Sequence, residues 1–137
     1  MPYVKKISID QLDGMTYTPA CDVVEVTLAS LRATLGRLDG KVHTMAVLGG
    51  VGEDWPKLTI GGGGGTYIVM YTRNGPDAGW WDLVSDGKPD ATRSLVVGGQ
   101  EGDYPLNLLN GSDATFRAAA HFFETGEMSA GLTWQKG

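Results

Sequence analysis

Five consecutive glycines, Gly61–Gly65, form the first stretch of this chain that could do chemistry, because bare backbone N–H groups can cradle phosphate. A nucleotide loop of that kind ends in Gly-Lys-Ser/Thr, where the lysine reaches the phosphates and the hydroxyl holds magnesium. Here Gly65 runs into Thr66-Tyr67-Ile68, with no lysine and with strand-forming residues in place of a helix N-terminus. The run therefore reads as a mobile hairpin loop. His43 and His121 are too distant in sequence for a metal-ligand pattern, and the single cysteine, Cys21, adds none. A thiol with a spatially adjacent histidine stays open, although solitary cysteines mostly serve packing. No Gly-x-Ser-x-Gly elbow occurs. The acidic pairs Glu53-Asp54 and Glu101/Asp103 lie in polar, glycine-flanked loops, where solvated turn carboxylates are the default over a general acid–base pair. Neither a catalytic set, a cofactor nor a metal is expected.

Trp80-Trp81-Asp82 offers recognition in place of catalysis. Neighbours in a strand point to opposite faces, so one tryptophan should enter the core and the other face outward. An outward tryptophan beside Asp82 would suit an interface hot spot; equally, a loop or helix could cover it. Charge adds a second hint. The net charge is −5, and residues 53–103 hold eight acids against four bases. Such an excess argues against nucleic acid as a direct partner, since phosphate binding needs clustered Lys and Arg. It suits a basic protein partner, and it also suits a solvated surface that only aids solubility.

The elements that must position these residues belong to an α+β domain. At 137 residues the chain fits one domain, residues 1–137. Val4–Ile9 alternates weakly and suggests a first strand, with turns at Asp13-Gly14 and Thr18-Pro19. Leu28, Leu31, Leu35 and Leu38 put four leucines on one face of a helix over about 23–39, with Gly40 as its stop. Short strands then follow at 42–51, 57–60, 66–73, 79–84 and 93–97, separated by Gly, Asn, Asp and Pro turns. Residues 112–125 read as a second helix. Ser112 serves as N-cap, Gly126 as left-handed stop, and Phe116, Ala119, Ala120 and Phe123 share a face. An antiparallel sheet of about five strands with two flanking helices is the economical arrangement. No signal-peptide run opens the chain and no apolar stretch approaches a membrane span, so a cytoplasmic protein with no membrane partner is expected. The lone cysteine fits a reducing compartment.

The order Trp80-Trp81, then Gly98-Gly99-Gln100-Glu101-Gly102-Asp103-Tyr104-Pro105, then the Ala118–Phe123 helix with Thr125-Gly126-Glu127, and finally Leu132-Thr133-Trp134 resembles the Imm1 family of bacterial immunity proteins. The resemblance covers residues 25–135 and is firmest from Gly79 onward. It implies a protein encoded beside a polymorphic toxin that binds and blocks the toxin's catalytic domain, such toxins often being nucleic-acid deaminases. Carboxylates placed where phosphates would sit make acidity the expected sign for such an inhibitor. The toxin-facing candidates are then Glu53, Asp54, Trp80, Trp81, Asp82, Glu101, Asp103 and Tyr104. Trp134, Phe116 and Phe123 are candidates for structural roles. The alternative is a small enzyme or ligand-binding module, with Gly61–Gly65 as a lid over a pocket lined by Trp80, Tyr67 and Tyr71.

Overall fold

Ile7 and Ile9 are buried where Lys6 and Ser8 are not, the period-two pattern of a half-buried strand. In the structure, a computed structural model that describes residues 6–49, 55–73 and 79–137, this segment is β1 (Lys6–Asp13). It pairs antiparallel with β2 (Thr16–Glu25). The turn expected at Asp13-Gly14 is present, but the one at Thr18-Pro19 is not. Pro19 falls in a bulge of β2, between the pairs Ile9–Asp22 and Gln11–Thr18. A proline has no N–H to offer a ladder, and a bulge leaves it none to offer.

Because β2 continues to Glu25, the first helix starts at Leu28 and not near residue 23. Helix α1 (Leu28–Arg37) opens on a capping box. Ser30 N donates to Thr27 Oγ1 at 3.0 Å, and Thr27 N donates to Ser30 Oγ at 2.8 Å. Leu31, Leu35 and Leu38 are buried, whereas Leu28, in the first turn, is exposed. Leu38 caps the helix, so Gly40 lies in the following turn and is not the stop.

The remaining strands are β3 (Met45–Leu48), β4 (Lys57–Gly63), β5 (Thr66–Thr72), β6 (Trp80–Leu83), β7 (Thr92–Val97), β8 (Gln100–Pro105), β9 (Leu109–Asn110) and β10 (Trp134–Lys136). Among the described residues, eight of ten strands form one antiparallel sheet in the order β10-β6-β5-β4-β3-β1-β2, with β9 beside β5. The hairpin β7–β8 is a separate two-stranded sheet. The expected class holds and the expected count of about five strands does not. The strands not expected are β2, β8, β9 and β10, and the last two, of two and three residues, carry too few positions to show a period.

Helix α2 (Ser112–Thr125) has the expected bounds. Its N-cap is Gly111, which offers no side-chain bond, so Ser112 is the first helical residue and not the cap. Gly126 closes it in the left-handed conformation, donating to the Phe122 carbonyl at 2.8 Å. The buried face is Thr115, Ala118, Ala119, Phe122 and Phe123, with Phe116 and Ala120 at its margin. This face and that of α1 cover one side of the sheet, against Ile7, Ile9, Ala46, Leu48, Leu58, Ile60, Val69, Tyr71 and Leu83. Tyr71 is fully buried. It stacks edge-on against both Trp81 and Phe122 and donates its hydroxyl to the Gly126 carbonyl at 3.2 Å.

Trp134 pairs with Leu83 at the sheet edge, packs half-buried on this core and donates its indole N–H to the Ser129 carbonyl at 3.1 Å. Trp134→Ala is expected to cost about 2–3 kcal/mol, at or below the low end for buried aromatics because part of the ring is already wet. Urea unfolding checks this. An unchanged midpoint together with lost partner binding would move Trp134 to the interface.

The sheet's second side is covered by the β7–β8 hairpin, making a third layer. Ile68, Leu95 and Leu109 form its core, with Met70, Val97, Tyr104, Leu106 and Leu108 packed around them. The glycine run belongs to this contact. Gly61, Gly62 and Gly63 are strand residues paired with Ile68, Tyr67 and Thr66, and only Gly64-Gly65 form the turn. A Cβ on Gly61 would run into the isopropyl group of Val97. The glycines thus let the second layer approach, and they are not a mobile loop.

Candidate partner-binding surface

The β7–β8 hairpin turns at Gly98-Gly99, both with positive φ (62° and 78°), as a two-residue hairpin of the primed type requires. The segment read as a polar loop, Gln100–Pro105, is therefore a strand. Its register places Arg93 opposite Tyr104, Leu95 opposite Gly102 and Val97 opposite Gln100, and Leu95 and Val97 of this set face the sheet. The alternate set, Ser94 with Asp103 and Val96 with Glu101, must point away from it. Glu101 and Asp103 are both exposed and stand two residues apart on that outer face. Arg93 is turned aside, donating to Thr66 Oγ1 at 3.3 Å.

A buried carboxylate holds the turn of this hairpin in place. Asp10, on β1, is fully buried. Its Oδ1 accepts from Thr44 N at 2.6 Å and Met45 N at 2.9 Å, and its Oδ2 accepts the Thr44 hydroxyl. Thr44 Oγ1 in turn accepts from Gly99 N at 2.9 Å, so a relay runs from the hairpin turn into the sheet. The His43 ring contributes a further tie, with Nδ1 donating to the Asp10 carbonyl at 2.6 Å. Tyr17 packs its ring against Gly98-Gly99. Burial, and then the Asp10 charge, push the Tyr17 hydroxyl pKa up to about 12. None of these residues was singled out from the sequence as part of a site. Asp10 sits in a short alternating strand, and only the partners brought by Thr44 and Gly99, far along the chain, reveal its role.

The tryptophan pair divides as strand geometry requires. Trp81 lies opposite Tyr71 on the helix-covered side, with Arg73 5.2 Å and Lys136 5.6 Å from its ring centre. Trp80 and Asp82 project on the hairpin side; Trp80 is 42% exposed and Asp82 only 6%. The Trp80 indole N–H donates to Asp82 Oδ2 at 3.2 Å. Tyr104 faces inward, half-buried on the second core. Glu53 and Asp54 lie outside the described residues. The structure thus brings Glu101 and Asp103 together, sets Trp80 on the same side of the sheet, and separates Trp81 from them. It also removes the lid reading. Tyr71 is sealed under α2 while Trp80 opens on the opposite side, so the two share no pocket, and three of the five glycines are paired in β4.

Asp82 carries a pH signature. Burial holds its carboxyl above the ordinary value of 3.8, with the Trp80 bond opposing the shift. A raised acid pKa means the folded state binds the proton more tightly than the unfolded chain, so ionised Asp82 opposes folding at neutral pH. Asp82→Asn, which keeps an acceptor for Trp80, is expected to melt higher than the parent at neutral pH. The gap should shrink as pH falls through the raised folded pKa and close below 3.8. Paired melting curves across that window check the sign, and an asparagine variant that melts lower at neutral pH contradicts it.

Among the described residues no group of three His, Cys, Asp or Glu side chains is placed to hold a metal, and no helix is long and apolar enough to cross a membrane. Fold and surface together are those of a small α+β domain presenting an acidic, firmly seated hairpin. The chain belongs to the Imm1 family of immunity proteins: the family model, Immunity protein Imm1, matches residues 9–136. That match takes in most of the β1–β2 hairpin as well as the region of resemblance from 25 to 135, the glycine strand included. A comparison with curated proteins gives no match.

Proposed function

We propose that this protein neutralises a cognate bacterial toxin by stoichiometric binding, without catalysis, using the outer face of the β7–β8 hairpin. The observation that carries the reading is the placement of exposed Glu101 and Asp103 two residues apart on a hairpin whose turn is tied through the Thr44 hydroxyl to a buried carboxylate. A surface held in place before binding loses little freedom when it docks. Carboxylates two residues apart on a strand stand roughly 7 Å apart, close to the spacing of successive phosphates on one nucleic-acid strand. The partner that fits is a toxin with a basic substrate groove, such as a nucleic-acid deaminase. Family membership supports the toxin partner, and the net charge of −5 supports its basic character.

Charge reversal tests the surface. Glu101→Lys with Asp103→Lys is expected to slow association with the cognate toxin about 10-fold or more at low salt, with a smaller effect as salt rises. Circular dichroism and the melting temperature should stay near those of the parent, because both side chains are exposed. Association as fast as the parent's at low salt would leave these carboxylates a solubilising surface, and the interface would have to lie elsewhere.

A further inference from the structure

We propose that Met15, at the tip of the β1–β2 hairpin, anchors the cognate toxin by entering an apolar pocket beside the groove that meets Glu101 and Asp103. This rests on the toxin-binding role proposed above and extends its surface to a second hairpin.

Nothing in the fold calls for methionine at this tip. Asp13 pairs with Thr16, so Gly14-Met15 is a two-residue hairpin turn. Gly14 has φ +61° and Met15 a negative φ, as a type II′ turn requires. Gly14 carries the special conformation, and the second position suits the small polar residues common in such turns. The Met15 side chain is fully exposed, and a Cβ on Gly14 would meet nothing within 4 Å among the described residues. A thioether left in water adds nothing to the core. Its flexible, polarizable chain does let it fill an irregular pocket on a partner.

Met15 is not isolated. Leu12 N donates to the Val42 carbonyl at 2.7 Å, which brings the loop before β3 against the same end of the hairpin. Val42 is exposed and Leu12 half-buried, so both extend the apolar surface that begins at Met15. The charged residues beside them, Asp13, Asp39 and Lys41, sum to a single negative charge. This patch therefore offers contact and little steering, unlike the acidic face.

Position names the occupant. Tyr17, two residues beyond Met15, rests its ring on the turn of the β7–β8 hairpin, where a Cβ on Gly99 would overlap it. Gly99 is also tied through Thr44 to Asp10 of β1. The ends of the two hairpins thus meet, and Glu101 follows Gly99 by two residues. Two residues along a strand span roughly 7 Å, so Met15 and Glu101 lie about 20 Å apart once the Tyr17 ring is included. A standard interface of about 800 Å² per partner is wide enough to take in both. A toxin seated on the acidic face reaches this tip.

Binding kinetics with the purified toxin domain test the proposal. Met15→Ser, which suits the second position of the turn, is expected to dissociate about 10-fold faster than the parent, with the association rate and its salt dependence unchanged. Met15→Leu keeps the apolar bulk and should stay within about 3-fold. Neither variant should melt lower than the parent, since the side chain is fully exposed. In protein labelled at its methionine methyl groups, the Met15 resonance should shift when toxin is added. A Met15→Ser complex that dissociates at the parent's rate, or a Met15 methyl signal unmoved by saturating toxin, would overturn the anchor and leave the acidic face as the interface. A parent protein that does not bind the toxin at all would remove the binding role itself, and the anchor with it.

Discussion

Asp10→Ala is expected to destabilise the domain by about 3–5 kcal/mol, enough to leave little of a typical domain's stability. The substitution strips three donors of their acceptor at once: the buried Thr44 N and Thr44 hydroxyl and the half-buried Met45 N. Each polar group left dry and unmatched costs about 1–3 kcal/mol, and the vacated space adds a smaller penalty. The effect should not stop at stability. With its proton no longer committed to Asp10, Thr44 loses the orientation that receives Gly99 N, so the hairpin turn loosens. Asp10→Asn retains one carbonyl acceptor but brings an NH₂ group into a ring of donors, so it should fall between alanine and the parent. Chemical denaturation ranks the three, and exchange of the Gly99 amide reports the hairpin directly. An alanine variant within about 1 kcal/mol of the parent, with Gly99 still protected, would show that the relay holds nothing.

Gly63→Ala is expected to cost about 2–6 kcal/mol. Gly63 has φ +145°, a conformation that side-chain-bearing residues rarely adopt, and a Cβ there would overlap the Leu38 carbonyl and Asp39 N at the end of α1. Strain and overpacking each contribute about 1–3 kcal/mol, and neither is relieved cheaply because the obstacle is backbone. That backbone is also pinned: Gly64 N donates to the Leu38 carbonyl at 3.1 Å, and Asp39 bridges to Gly63. Gly65→Ala is the control. Its φ of +93° is also unfavourable, but nothing lies within 4 Å of the added carbon, so about 1 kcal/mol is expected. Equal losses at the two positions would mean that backbone strain alone, and not the contact with α1, explains the glycine run.

Asp10 and Gly63 owe their roles to partners far along the chain. The bounds of α2 were legible because its apolar spacing is strong and Gly126 marks its end; the cap was misplaced by one residue, since Ser112 and Gly111 are both suited to it. The start of α1 was hidden. Val23, Val24 and Val26 extend the apolar pattern backward through β2, although Thr27-x-x-Ser30 was the available signal for the true start. A glycine strand has no side chains and so no period, which is why Gly61–Gly63 read as a loop. Likewise Gln100–Pro105 is polar on one side and rests its other side on a glycine and a tyrosine, a pattern that only the three-layer arrangement explains. Of the candidate surface, Glu101, Asp103 and Trp80 were visible as residue types. Their placement on one side of the sheet depends on register. The network that fixes it joins Asp10, Thr44 and Gly99 across long stretches of chain, beyond the reach of any local pattern.

The central claim, neutralisation by a stoichiometric complex, is tested most directly by titration. The cognate toxin, purified at a fixed concentration well above the complex's Kd, is mixed with increasing amounts of the full-length protein while toxin activity is followed. The account predicts a linear fall in activity with an end point at one protein per toxin, and a complex of the two that co-elutes on size exclusion. Activity extinguished at a small fraction of that ratio would contradict it by demanding turnover. So would full activity at several-fold excess, which would mean that the two do not form an inhibitory complex.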